Sequence, residues 1–210
     1  VQRKLATALI GMVLFGLSCE VPTTHGLASV SAPPPEASVI AAPRPDSRPD
    51  PMLNVAIDRF ASRRRMALTR REIRTVAQTI VDASKQHGLD PSLVLAVIHV
   101  ESRYDAFAVS PVGAMGLMQI LPSTGRELAE QQGIDWIGPQ TLFDPVANVR
   151  IGVAYLKQLS DRYGSTSMAL AAYNWGPGRI DRRLRSGTPL PTAYPALVLE
   201  AHSNLRLRRS

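Results

Sequence analysis

Glu101 is the carboxylate whose surroundings least suit a surface acid. It follows the run Leu93-Val94-Leu95-Ala96-Val97-Ile98, four residues after Val97 and three after Ile98. On a helix this spacing puts its carboxyl group on the apolar side. Glutamate is rarely buried unless it is paired or functional. Lost hydration penalises the charged form, raises the pKa and keeps a proton on the group near neutral pH, which is what a general acid needs. The plain alternative is a glutamate paired with Arg103 or another arginine at an exposed helix end, and this helix alone does not separate the two readings. The remaining carboxylates are blander. Asp90 and Asp144 are placed to cap helices, Glu127 and Glu130 fall on a polar face, and Asp105 falls in a turn. No second acid stands out as a partner, so an ordinary two-carboxylate glycosidase fits poorly.

Three further segments have the composition of a ligand site. Ser110-Pro111-Val112-Gly113-Ala114-Met115-Gly116-Leu117-Met118-Gln119 sets glycines and a serine beside an amide, as a backbone that must approach a ligand closely requires. Ala172-Tyr173-Asn174-Trp175-Gly176-Pro177-Gly178 places an aromatic and an amide at a helix end beside a glycine turn. Tyr194 then opens a last helix through Leu197 and Leu199. Each segment taken singly reads as a turn or a core aromatic; their order behind Glu101 is far more specific. His99 reads as a packed helix histidine. The four histidines show no metal-type spacing, so neither metal nor cofactor is expected.

Glu101-Ser102, Gly116-Leu117-Met118-Gln119 and Ala172-Tyr173-Asn174 resemble the three signatures of the soluble-type (SLT) lytic transglycosylases, across roughly Ile73 to Leu199. The resemblance implies an all-α, lysozyme-like catalytic domain. It implies cleavage of the MurNAc–GlcNAc bond of peptidoglycan without water, giving 1,6-anhydro ends. Glu101 would act as acid and then as base, with the substrate's own N-acetyl group in place of a protein nucleophile. By the same resemblance Ser102 and Gly116 join the substrate site, Ser110 and Gln119 hydrogen-bond the sugar or its acetamido group, and Met118 lines the cleft. Tyr173 and Asn174 form the opposite wall, and Tyr194 approaches the acid. The family often has Glu-Thr four and three residues before that tyrosine, where this chain has Leu190-Pro191. A goose-type lysozyme-like hydrolase and a wall-binding protein without turnover are the rival readings.

The elements that must position these residues read as helical. Ile73, Val76, Ala77, Ile80, Val81 and Ser84 recur at the spacing of one helix face, with Gly88 as a stop. Asp90-Pro91 and Asp144-Pro145 are helix starts, the second leading Val146, Val149, Val153, Leu156 and Leu159 to a stop at Gly164. Ser165-Thr166 opens the helix that carries Met168 to Asn174. No period-2 strand pattern of useful length and no internal repeat is present.

The 210 residues carry 24 Lys and Arg against 17 Asp and Glu, a net charge of +7, and one cysteine. A single cysteine excludes an internal disulfide framework and a multi-thiolate zinc site. Arg3 and Lys4 before the uncharged apolar run Leu5 to Leu17 read as an export signal, too short for a membrane span. The cut falls either at Cys19, as in a lipid-anchored protein, or after Ala28. Residues 1–28 are therefore the signal and 29–53 a proline-rich spacer. An arginine-dense segment follows at 54–71, then the catalytic domain at 72–203 and a basic tail at 204–210. Export places the protein in the periplasm or envelope, where peptidoglycan glycan strands are the partner. An envelope, secretion or conjugation complex stays open as a further one. Nucleic acid is not expected, since Phe60 is the only aromatic beside the arginines and export removes access to DNA.

Overall fold

Three helices open on the same dipeptide. In Asp50-Pro51, Asp90-Pro91 and Asp144-Pro145 the aspartate side chain accepts from the backbone N–H of Met52 at 2.8 Å, Ser92 at 2.9 Å and Val146 at 2.8 Å. The proline takes the first helical position, where its missing N–H has no consequence. These starts belong to α1 (Pro51–Ala61), α3 (Pro91–Glu101) and α5 (Pro145–Tyr163). The α2 helix (Arg70–Gln86) starts instead on a capping box between Thr69 and Glu72. The structure is a computed structural model describing residues 50–62 and 68–207. Cys19, the signal, most of the spacer and Arg63 to Arg65 lie outside the described residues.

The remaining elements are α4 (Pro122–Gln131), a 3₁₀ turn at Pro139–Phe143, α6 (Thr166–Trp175), α7 (Pro177–Arg185) and α8 (Ala193–Leu207). Gly164 ends α5 in the left-handed region, at φ 62°. Between α3 and α4 two isolated β-bridges, Val109 with Met115 and Met115 with Ile120, are the only extended pairing among the described residues. None of the described helices is long and apolar enough to cross a membrane.

α3 is the central element, and Val94, Leu95, Ala96, Val97 and Ile98 are completely buried. It is covered by α1, α2 and α8, while α5 joins α2 to α4 and α6. Burial on this scale is worth about 1.5–3 kcal/mol for each large apolar side chain. α8 is tied to α3 near both ends, through Tyr194 to Glu101 and through His202 to Asp90 at 3.2 Å.

The structure moves two boundaries. Residues 51–53 are the first turn of α1 rather than extended spacer, and the segment 54–71 contributes to the core. Met52, Ala56 and Phe60 on one face of α1 are buried, with the Phe60 ring edge-on to Tyr104 at 5.2 Å between centroids. Asp50-Pro51 carries the same start signal as the two helices that were legible; the prolines before it masked it. At the other end, α8 runs through Leu207 and buries Leu205, so the first residues of the expected tail are packed helix.

If α1 is part of the folding unit, Phe60→Ala lowers the unfolding free energy by about 3–5 kcal/mol in urea titrations. An unchanged midpoint would show α1 to be dispensable.

Candidate active site

Glu101 is the last residue of α3, and its Oε1 accepts a hydrogen bond of 2.5 Å from the phenol of Tyr194 near the start of α8. Burial pushes the carboxyl up from 4.5 to about 7, and the Tyr194 bond pulls the other way by favouring the charged form. The partial negative charge at the C-terminal end of α3 acts in the same direction as burial. Arg103 is exposed, and Glu101 makes no ion pair with it or with another arginine among the described residues. The paired-glutamate alternative is thereby removed. Burial, with the charge of Glu101 adding to it, pushes the phenols of Tyr194 and Tyr173 well above their usual 10, so both remain protonated.

Backbone conformation is unusual at this site. Arg103, Tyr104 and Gln119 are the only non-glycine residues with positive φ among the described residues, at 51°, 68° and 49°. Each such residue costs on the order of 1–3 kcal/mol and persists only when its surroundings over-determine it. The first two turn the chain sharply away from α3 directly behind Glu101. The third sets the direction of the Gln119 side chain.

The segment carrying Gln119 is held from α5 and α6. Asn148, completely buried on α5, accepts from the Met118 N–H at 2.8 Å and donates to the carbonyls of Met115 and Leu142, both at 2.9 Å. The Tyr173 hydroxyl donates to the Met118 carbonyl at 2.8 Å. Gly116, at φ 76°, passes so close that a Cβ would lie 2.3 Å from the Leu142 carbonyl oxygen. Gly152 leaves room for the Met118 side chain, whose sulfur would be 2.4 Å from an added Cβ. The Tyr173 ring packs on Tyr155 of α5 at 5.2 Å.

These contacts sort the residues singled out from the sequence. Glu101, Tyr173 and Tyr194 come together, since Glu101 and Tyr173 both act electrostatically on Tyr194. Gln119 donates both amide hydrogens to backbone, at 3.0 Å to the carbonyls of Ala108 and Gly116, leaving its Oε1 as the acceptor for anything else. Ser110 Oγ accepts from the Ala114 N–H at 3.0 Å and closes the turn. Ser102 donates back to the Ile98 carbonyl at 3.2 Å and finishes the helix. Asn174 is exposed near the end of α6, and its side chain makes no hydrogen bond among the described residues. Met118 does not line a cleft. It is completely buried over Gly152, and its backbone is fixed on both sides.

Asn148, Gly152 and Tyr155 were not anticipated. The first two had a signal in the sequence, a polar amide and a glycine four apart in register with Leu156 on the buried stripe of α5. Among the described residues no three His, Cys, Asp or Glu side chains gather as a metal would require.

Tyr194→Phe removes a donor to the charged form, so the Glu101 carboxyl titrates about one unit higher, readable by carbon NMR of a labelled glutamate. A downward shift would contradict the geometry. Asn148→Ala removes the acceptor of the Met118 N–H and a donor to the Leu142 carbonyl, while the Met115 carbonyl keeps the Ile120 N–H, and lowers the unfolding free energy by about 2–3 kcal/mol in denaturant titrations.

Comparison with known proteins identifies the family. The Transglycosylase SLT domain family model matches residues 78–192, more than half of the chain. The transglycosylase of Enterobacteria phage PRD1 is 37% identical over 134 residues, covering 57% of this chain and 47% of that protein. Membrane-bound lytic murein transglycosylase C of Klebsiella pneumoniae is 40% identical over 110 residues, covering 48% of this chain and 31% of the relative. The chain thus spans less than half the length of either. The crystal structure of the 70 kDa soluble lytic transglycosylase of Escherichia coli shares the fold, with a TM-score of 0.58 and 22% identity over 75% of this chain and 30% of that one. The chain belongs to the transglycosylase SLT domain family, with its lysozyme-like all-α fold.

Proposed function

We propose that the chain is a peptidoglycan lytic transglycosylase, cleaving the β-1,4 bond between MurNAc and GlcNAc to leave a 1,6-anhydroMurNAc end. The observation that carries this reading is a single, largely buried carboxyl group whose pKa is pushed up to about 7, bonded to a phenol and with no second carboxylate acting on it among the described residues. Glu101 first gives its proton to the glycosidic oxygen. The bond from that oxygen to C1 of MurNAc breaks, GlcNAc leaves as an alcohol, and the acetamido oxygen of MurNAc bonds to C1. The Glu101 carboxylate then takes the proton of the C6 hydroxyl. O6 bonds to C1, the acetamido oxygen is released, and Glu101 is protonated again with no water consumed.

One group serves both steps because a pKa near the working pH suits donation and abstraction alike. Tyr194 supports the charged form between them. In this reading Gln119 Oε1 accepts from the acetamido N–H, Ser110 and Asn174 bond the sugar, and Tyr173 supplies a rigid wall. Gly116 and Ser102 act through the backbone they shape. Residues 1–28 export the protein to the envelope, with Cys19 as the anchor where it is lipidated and the proline-rich segment up to Asp50 as spacer. The relative from Klebsiella pneumoniae is membrane-bound by its name.

Mass spectrometry of digested sacculi tests the reaction. The expected ends are one water lighter than reducing ends, and Glu101→Gln abolishes them while the variant still sediments with the glycan. Reducing ends from the native chain would make it a hydrolase. Binding without any product would make it a wall-binding protein.

A further inference from the structure

The α7 helix carries Arg179, Arg182, Arg183 and Arg185 within seven residues. Together with Ser186 and Thr188 they line an open groove of about 580 Å³. None of the four meets a carboxylate among the described residues. Asp181, the one acid on α7, is engaged by Arg162 at 2.5 Å and by the Tyr163 hydroxyl at 2.8 Å. The helix dipole favours cations in the last turn of α7, which accounts for Arg182, Arg183 and Arg185 taken singly. It does not account for Arg179, which sits in the first turn at the positive end of the dipole, nor for the convergence of all four on one groove.

Two contacts order this surface. The guanidinium carbons of Arg179 and Arg183 lie 5.6 and 4.9 Å from the Trp175 ring centre, so the indole holds both side chains. Arg183 also donates to the Pro189 carbonyl at 2.6 Å. Trp175 immediately follows Asn174 and ends α6, and Gly176 alone separates it from α7. The groove is therefore continuous in sequence with the Tyr173-Asn174 wall of the candidate active site. Arg179, Arg182 and Arg183 stand at i, i+3 and i+4, with neighbouring Cβ atoms about 5–6 Å apart. That spacing suits successive carboxylates, each matched by the fork of a guanidinium.

We propose that this groove binds the free carboxylates of the peptide stems carried by the glycan whose sugars occupy the Glu101 site. The proposal rests on the peptidoglycan reading above. It makes α7 a specificity surface that separates stem-bearing from stripped glycan, by contacts remote from the bond that breaks. Continuity with the Asn174 wall favours a stem on the same strand over a separate anionic surface.

The test measures binding rather than turnover. In the full chain carrying Glu101→Gln, co-sedimentation is compared for sacculi with their stems and for the same glycan stripped by an amidase. Adding Arg179→Gln, Arg182→Gln and Arg185→Gln is expected to weaken binding to stem-bearing glycan about tenfold and to leave stripped glycan unaffected, since each exposed ion pair contributes modestly. Lysine at the same three positions recovers part of the loss, and the thermal midpoint stays within a few degrees because these side chains are on the surface. Arg183 is left in place because it holds the Pro189 carbonyl. Equal loss on both glycans, or loss on neither, overturns the proposal. So does a loss confined to vesicles of phosphatidylcholine and phosphatidylglycerol, which would make the groove a membrane surface. Stem-dependent binding by a chain that yields no product would overturn the transglycosylase chemistry and leave the groove's role standing.

Discussion

The carboxyl group of Glu101 sits at the end of a helix whose stretch from Val94 to Ile98 sees no water, and the rest of the architecture follows from keeping it there. An ionised carboxylate left alone in such a place would cost several kcal/mol, so the group holds its proton to a pH near neutral. That state lasts only if water is kept off and one donor is offered. α8 does both, covering α3 along its length and bringing Tyr194 to Oε1. The bond limits how far burial lifts the pKa. A fully apolar enclosure would leave a proton too tightly held to give up.

The segment that carries Gln119 is built by a different device. The segment around Gln119 has neither helix nor strand to fix it, and it carries a strained residue. Its order comes from Asn148, one buried amide that bonds three backbone groups from two segments, and from the Tyr173 hydroxyl. Backbone groups in such a loop would otherwise be orphaned in the interior. Glycine at 116 and 152 lets the loop come close enough for the amide to reach. The irregular loop is therefore held by α5 and α6, and Glu101 by α8, so the order of both comes from helix packing.

Much of this was legible in the residues. The apolar run before Glu101, the Asp-Pro starts and the periodic face of α2 each have one strong local cause, and the structure has them where they were expected. α1 was not recognised because the prolines before Asp50 gave the neighbourhood the composition of a spacer, while its buried face of Met52, Ala56 and Phe60 depends on partners far along the chain. Met118 was assigned to the cleft because it lies in a signature segment, yet a signature records backbone geometry as readily as side-chain contact. Its thioether fills the notch over Gly152, and only the fold brings residues 118 and 152 together. Asn148 could have been suspected as a polar residue on an apolar stripe, but not which groups it would bond.

The Tyr194 to Glu101 bond joins groups 93 residues apart in sequence. A polypeptide emerging from its N-terminus completes α3 long before α8 exists. Until α8 docks, residue 101 is a solvated glutamate with an ordinary acidity, ionised and unable to donate a proton at neutral pH. The order of synthesis thus separates the possession of the acid from its acidity, and a chain whose C-terminal helix has not yet docked has the former without the latter.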